Sequence, residues 1–471
     1  MTTPLADVQR IVLRSNPWAE SRHLVFSFPK ERSRLHFLKA LKPTLWPTAA
    51  AVEKCALQLS LGFSRRGLAH AGVPRHVLTA FALKSPAFSA GAAMRASSQL
   101  GATGCDAPAS WDDAFEFTAL DAVLSLHAMA AGPLAKAVHQ VKELAAACHV
   151  RVTELAPARR LETPLGQRPD PQAQWVHFGY RDGLARVGIE GWTAPEKLDE
   201  CKPASRFPAG EFVLGHAQQS GANPWLAGPG LRVWPKELRA FFANGSFGVL
   251  HQVEQHVVAF EAFVDGKAEA LQLDPDEIKA KLCGRYPDGR PLAADRGAPL
   301  KADFDYTHDR HGYDCPFGSH VRRMNPRGDS LAHDARARPL LRRGMPYGPA
   351  WKKAEEDDEQ RGLFGHFFCA SIEDQFEHLV GQWADRVPLG SKDIGGARDP
   401  LMGAHAPGDG DFVIPRPPSC GPLRLTGLEP FTRTRGTAYL FYPSLQALEG
   451  IADHSVWGLA EEDEEEAEDG A

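Results

Sequence analysis

Nowhere does this chain approach the roughly 18 consecutive apolar residues that a membrane-spanning helix requires. Its opening residues, MTTPLADVQR, have neither the basic leader nor the apolar segment of a secretory signal. A soluble, cytoplasmic protein with no membrane partner is the expectation. Closely spaced cysteines are also missing: Cys55, Cys105, Cys148, Cys201, Cys283, Cys315, Cys369 and Cys420 stand singly, without a CxxC pair. That pattern speaks against a structural zinc site or a disulfide framework and predicts reduced thiols, some of them buried. Nor is there an excess of positive charge. Lys and Arg number 53 against 59 Asp and Glu, and eight of those carboxylates crowd into Glu461–Asp469, which leaves about +2 on the rest. A nearly neutral body offers nucleic acid no broad basic stripe. The acidic end, residues 459–471, has too little apolar surface to order itself and reads as a mobile tail.

What the chain does have is length, 471 residues of which 43% are hydrophobic, enough for two or three domains with substantial cores. Four short apolar runs are each followed by a helix-periodic stretch: His23–Phe28 before Ser33–Leu41, Ala122–Ala128 before Pro133–Ala146, Ser246–Val253 before Val257–Val264, and Leu363–Ala370 before Ile372–Trp383. Two pairs fall in each half, so the chain looks duplicated. Further β-like runs at Ala56–Phe63 and Thr437–Tyr442 give each half an antiparallel sheet with helices packed on one face, an α+β class. Turn-rich segments place the boundary near residue 200, with an N-terminal domain over 1–200 and a C-terminal one over 201–458.

Three segments carry chemistry: Gly179-Tyr-Arg-Asp-Gly183, Cys315-Pro-Phe-Gly-Ser-His-Val-Arg-Arg-Met-Asn-Pro-Arg327, and Leu341-Arg-Arg-Gly-Met-Pro-Tyr-Gly348. Alone, each is also compatible with a turn, a satisfied histidine or a solvated basic face. In this order and with these flanks, they resemble the dye-decolorizing peroxidase family of haem enzymes. The likeness extends to Leu61-Gly-Phe63, Gly210-Glu-Phe-Val-Leu-Gly215, Ala370-Ser-Ile-Glu373 and Tyr439-Leu-Phe441. It implies two ferredoxin-like halves, with haem b (iron protoporphyrin IX) in the C-terminal half beneath the GxxDG loop.

The resemblance makes His320 the iron ligand, Asp182 the proton acceptor for hydrogen peroxide and Arg342 the cation beside the departing oxygen, a set that peroxide cleavage requires. Arg343 is the neighbour that might be taken for Arg342, and the spacing to Pro346 favours Arg342. Asp399 is the candidate to anchor the second imidazole nitrogen. Arg322, Arg323 and Arg327 are candidates for the haem propionates. Where relatives carry an apolar-aromatic pair, this chain has Leu363 and Gly365, and the glycine suggests a wider distal cavity. Tyr347 and Trp383 fall at positions resembling the family's surface radical sites. The implied function is reduction of hydrogen peroxide with one-electron oxidation of aromatic, phenolic or dye-like donors, by a monomer or homodimer. A haem carrier or sensor with little turnover is the alternative, and a haem-free interaction module a third.

Overall fold

The run Ala122–Ala128 forms a strand buried at every position, and the stripe that follows it forms the helix Ala131–Ala147 with Leu134, Ala137, Val138, Val141 and Ala145 turned inward. The same unit recurs along the computed structural model. The structure describes residues 4–453 apart from 15–17, 29–32, 42–45, 47, 51–55, 117, 165–166, 168–169, 171–172, 185–186, 202–204, 227–232, 294–303, 327, 329–337, 353–358 and 386–397. The acidic tail and Arg327 thus lie outside the described residues. Among the described residues seven cysteines stand outside any disulfide, and five of them are buried.

In the first half, β1 (Glu20–Ser27) is followed by α1 (Ser33–Ala40) and β2 (Leu57–Phe63), and β3 (Ala122–Ala128) by α2 (Ala131–Ala147), β4 (Arg151–Glu154) and the short β5 (Ala158–Arg159). The second half opens with β6 (Ser246–Gln255) and α3 (Val257–Leu271). It continues through the short helix α4 (His320–Met324), β7 (Leu341–Arg342), β8 (Met345–Tyr347), β9 (Gly362–Cys369), the π-helix α5 (Ile372–Ala384) and β10 (Thr432–Tyr442). The first half has the strand order β2-β3-β1-β4, and the second runs β10-β6-β9 with β7 and β8 beyond β9. Each is the split-βαβ arrangement of a ferredoxin-like domain, so the α+β expectation and the duplication both hold.

The two sheets are not separate. Phe441 of β10 pairs with Phe63 of β2, and Tyr347 of β8 pairs with Ala158 of β5. Because β6 also pairs with β9, the path β6-β10-β2-β3-β1-β5-β8-β9 returns to its start and closes a barrel. Alternation along the strands then sorts side chains between lumen and outer wall. Leu24, Phe26, Leu124 and Leu126 face outward beneath the helices, and the Phe26 ring lies 5.0 Å from Phe37 of α1. Ser21, His23, Gln58, Ser60, Ser125 and His127 line the lumen opposite Phe364, His366 and Tyr442, all of them buried.

Candidate active site

α4 begins at His320, which places the imidazole at the mouth of a short turn stapled to the rest of the second half. Its Nδ1 stands 2.8 Å from Asp399 Oδ2, and Asp399 is fully buried, with Oδ1 accepting the amides of Leu401 and Met402 at 2.9 and 3.1 Å. Burial alone pushes the Asp399 carboxyl up. The His320 interaction, the Arg323 guanidinium and the Leu401 amide outweigh it, so the group sits below the ordinary carboxylate range. An ionised carboxylate only accepts hydrogen bonds, so Nδ1 carries the proton and Nε2 keeps its lone pair. The His320 side chain retains 29% exposure, and Nε2 has no hydrogen-bond partner in the structure.

Asp182 comes from elsewhere in the chain. The pairs Gln174–Trp175 and Arg181–Asp182 form a small hairpin whose chain reversal uses Gly179 at φ 81°, and the chain leaves Asp182 through Gly183 at φ 74°, both in a backbone region that side chains disfavour. That is the physical content of the two glycines in the motif. Asp182 Oδ1 accepts from Arg342 Nη2 at 3.1 Å. Arg342 is carried on β7, register-paired with Phe367 of β9, so both side chains emerge on the outer face of the barrel. Arg343 necessarily points the other way: it donates to the carbonyls of Ile11, Val12 and Arg342 at 2.9, 3.1 and 2.8 Å and clamps the N-terminal segment. Strand alternation thus settles which of the adjacent arginines meets Asp182. Burial raises the Asp182 pKa, but the Arg342 guanidinium, the Gly183 amide and, when it is protonated, His320 bring it below the ordinary value. Asp182 and Arg342 keep 36% and 47% side-chain exposure. An anchored imidazole and a paired carboxylate and guanidinium, far apart in sequence, thus all keep part of their surface exposed, and His320 lies near enough to act electrostatically on Asp182.

Other expected residues land differently. Arg322 is buried and fully engaged: it donates to Asp309 Oδ2 at 2.8 Å, to the Cys315 carbonyl at 2.6 Å and to the Asp309 carbonyl at 3.0 Å, between the rings of Tyr306 and Phe317. It braces the segment ahead of His320 and is not turned to a propionate. Arg323 lies behind the His320–Asp399 pair, buried, with Nε given to the Trp383 carbonyl at 3.0 Å. Leu363 and Gly365 are on the same face of β9 as Phe367, and the glycine does not widen the wall. A Cβ built on Gly365 would fall 2.4 Å from the Phe367 ring, which already covers it. The signal for this was in the sequence, since Leu363, Gly365 and Phe367 are spaced by two. Tyr347 is not a surface residue: it is 1% exposed, inside the barrel, 5.0 Å from Phe364. Trp383 is half-buried near the end of α5, its ring 5.4 Å from His378.

No family model matches the chain. A dye-decolorizing peroxidase of Mycetinis scorodonius is 26% identical over 434 residues, covering 83% of this chain and 76% of that protein. A multifunctional dye peroxidase of an Amycolatopsis species is 28% identical over 423 residues, covering 83% and 82%. The match to a dye-decolorizing peroxidase of Auricularia auricula-judae, 28% identical, spans 57% of that protein. Among solved structures, a fungal DyP-type peroxidase from Auricularia auricula-judae superposes over 96% of this chain and 100% of its own with a TM-score of 0.77 at 22% identity. Along most of its length the chain is similar in sequence to dye-decolorizing peroxidases, and it shares the fold of a DyP-type peroxidase.

Proposed function

We propose that this protein is a haem b peroxidase in which His320 binds the iron, Asp182 moves the peroxide proton and Arg342 stabilises the departing oxygen. The observation that carries the reading is an imidazole anchored at 2.8 Å by a buried carboxylate and lying within electrostatic reach of a carboxylate–guanidinium pair 3.1 Å apart. The donor set fits haem: one neutral imidazole, its tautomer fixed by a buried carboxylate, is an axial ligand of peroxidase type. Bound haem would supply the redox-active iron and store two oxidising equivalents.

The protein's own part follows from its charges. Asp399, by accepting from Nδ1, makes His320 Nε2 a stronger donor to a metal. Asp182, held ionised, accepts a proton from one peroxide oxygen and returns it to the other. Arg342 does not deprotonate, so it holds Asp182 in its basic form and offers a fixed positive charge where negative charge builds as the O–O bond lengthens. The donors proposed are small phenols and aromatic dyes. A related dye-decolorizing peroxidase has been solved in complex with 2,6-dimethoxyphenol, sharing this fold with a TM-score of 0.77 at 24% identity. The half-buried Trp383, joined through Arg323 to the region of His320, is the proposed exit for electrons from donors too large to enter.

The visible spectrum of the purified protein before and after one equivalent of hydrogen peroxide tests this directly. A histidine-ligated ferric spectrum that changes within seconds is expected, with haem retention lost in His320→Ala. Full haem with an unchanged spectrum in that variant would overturn the ligand assignment.

A further inference from the structure

The barrel lumen holds chemistry that the site does not use. Its polar side chains are sealed from water, yet His127 Nδ1, His366 Nδ1, Ser21 Oγ and both amide atoms of Gln58 have no hydrogen-bond partner. The rings of His127 and His366 stand edge-on to His23, at centroid distances of 5.9 and 6.2 Å. Among the described residues no three His, Cys, Asp or Glu side chains converge as a metal site.

One contact stands out. The Tyr442 hydroxyl lies 2.8 Å from His366 Nε2, and on the same lumen face Ser125 Oγ is 2.8 Å from His23 Nδ1. With the His366 ring proton on Nδ1, the Tyr442 hydroxyl donates to His366 Nε2. That imidazole is neutral and able to accept, because burial, then the charges of His23, His127 and Arg343, keep its pKa well below the ordinary value. His366 sits on β9 between Gly365 and Phe367, whose side chains belong to the opposite face, the one carrying Arg342, and its carbonyl accepts the Arg343 amide at 2.7 Å. The Tyr442–His366 pair therefore lies directly behind the wall of the active site, on the reverse side of one strand.

Resting on the peroxidase reading, we propose that Tyr442 is a redox-active residue of this enzyme, oxidised by proton-coupled electron transfer. Tyr442 gives one electron to the peroxide-oxidised cofactor and its phenolic proton to His366 Nε2, which leaves a neutral tyrosyl radical beside an imidazolium. A reducing donor then returns the electron, and His366 returns the proton to the phenolic oxygen. Loss of an electron makes a phenol strongly acidic, so the availability of a proton acceptor decides which buried tyrosine can serve. Tyr347 shares the lumen, but no basic side chain hydrogen-bonds its hydroxyl. Tyr439 donates to Glu377 at 3.0 Å, yet that carboxylate is gripped by Arg95 through two contacts of 2.6 Å, and protonating it would break a buried ion pair. Tyr442 alone of the three has a neutral base waiting. Sealed from solvent, its radical is a store of one oxidising equivalent that bulk donors cannot quench on contact.

The test is freeze-quench electron paramagnetic resonance on the full-length holoenzyme, mixed with one equivalent of hydrogen peroxide without a donor while the visible spectrum is followed. A tyrosyl signal is expected in the wild type and in Tyr347→Phe, and its loss in Tyr442→Phe. Nitrogen-15 labelling of histidine in the wild type should add a nitrogen coupling to the radical, a readout that needs no variant to fold. A normal optical change with no tyrosyl signal, with the signal undiminished in Tyr442→Phe, or without the histidine coupling, overturns this assignment and leaves the peroxidase reading standing. No optical change in the wild type overturns both.

Discussion

Asp182 and Arg342 lie 160 residues apart, and what each contributes can be separated by substitution. Removing a positioned base typically costs ~10²–10⁴-fold, and removing one fixed electrostatic donor ~10²–10³-fold. Asp182→Asn and Arg342→Leu should therefore each slow the reaction with peroxide by at least about 10²-fold in stopped-flow, whereas Arg343→Leu should lower the melting temperature and leave that rate largely intact. Wild-type rates in both of the first two variants would exclude the pair from the chemistry. Because the Asp182 pKa lies below the usual carboxylate value, the basic form persists in acid. The rate constant is expected to hold below pH 5 and to fall only as the pH drops through that lowered value. A decline centred near pH ~6.5 would instead mark a histidine base. At this scale the motifs were legible, since GxxDG and the paired arginines each name a backbone requirement and a charge. The partners of Arg322 were not. A guanidinium among aromatic rings, bonded to Asp309, looks in sequence like any other member of a basic cluster.

Elements carried more of their own explanation. The strand Gly362–Cys369 and the helix Ile372–Ala384 occupy almost the spans read from periodicity, because a buried apolar alternation and an i, i+3/i+4 stripe each have one good solution. What periodicity could not supply is which face of β9 meets the site. Once Arg342 is paired with Phe367, the aromatic covering Gly365 becomes part of that wall. Phe367→Ala should uncover the glycine and make room beside Arg342. The expected result is a several-fold gain in rate with a bulky hydroperoxide such as cumene hydroperoxide relative to hydrogen peroxide, and an unchanged ratio would mean that Phe367 does not border the peroxide. On α5, Trp383→Phe should lower turnover of large dyes several-fold while sparing small phenols. Equal losses on both would indicate damage to the packing around Arg323 rather than a broken electron path.

For the whole molecule, the duplication was visible in the sequence and the closure was not. The seams between the halves rest on single register pairs, Phe441 with Phe63 and Tyr347 with Ala158, too short to leave a pattern. In sequence the alternate Ser21, His23, Ser125 and His127 of β1 and β3 do not differ from a solvent face, because only ring closure turns that face inward. That enclosure has a thermodynamic consequence. Burial lowers the pKa of His23 to about 3 and that of His127 to about 4, and holds His366 well below its ordinary value. In the unfolded chain the same residues titrate near ~6.5, so below that pH the unfolded state binds more protons and stability falls, by up to about 1.4 kcal/mol per pH unit for each histidine that stays neutral in the fold. The melting temperature should therefore drop steadily from pH 7 to pH 4.5, and His127→Leu should flatten that slope by one histidine's share. An unchanged slope would show that the lumen admits protons without opening. Under the proposed role of Asp182, which stays ionised across the same range, the acid limit is expected to be set by the barrel and not by the active site. Millisecond peroxide activation measured immediately after a jump to pH 4.5 should be near its neutral rate, while activity after long incubation at that pH should be lost together with the folded state.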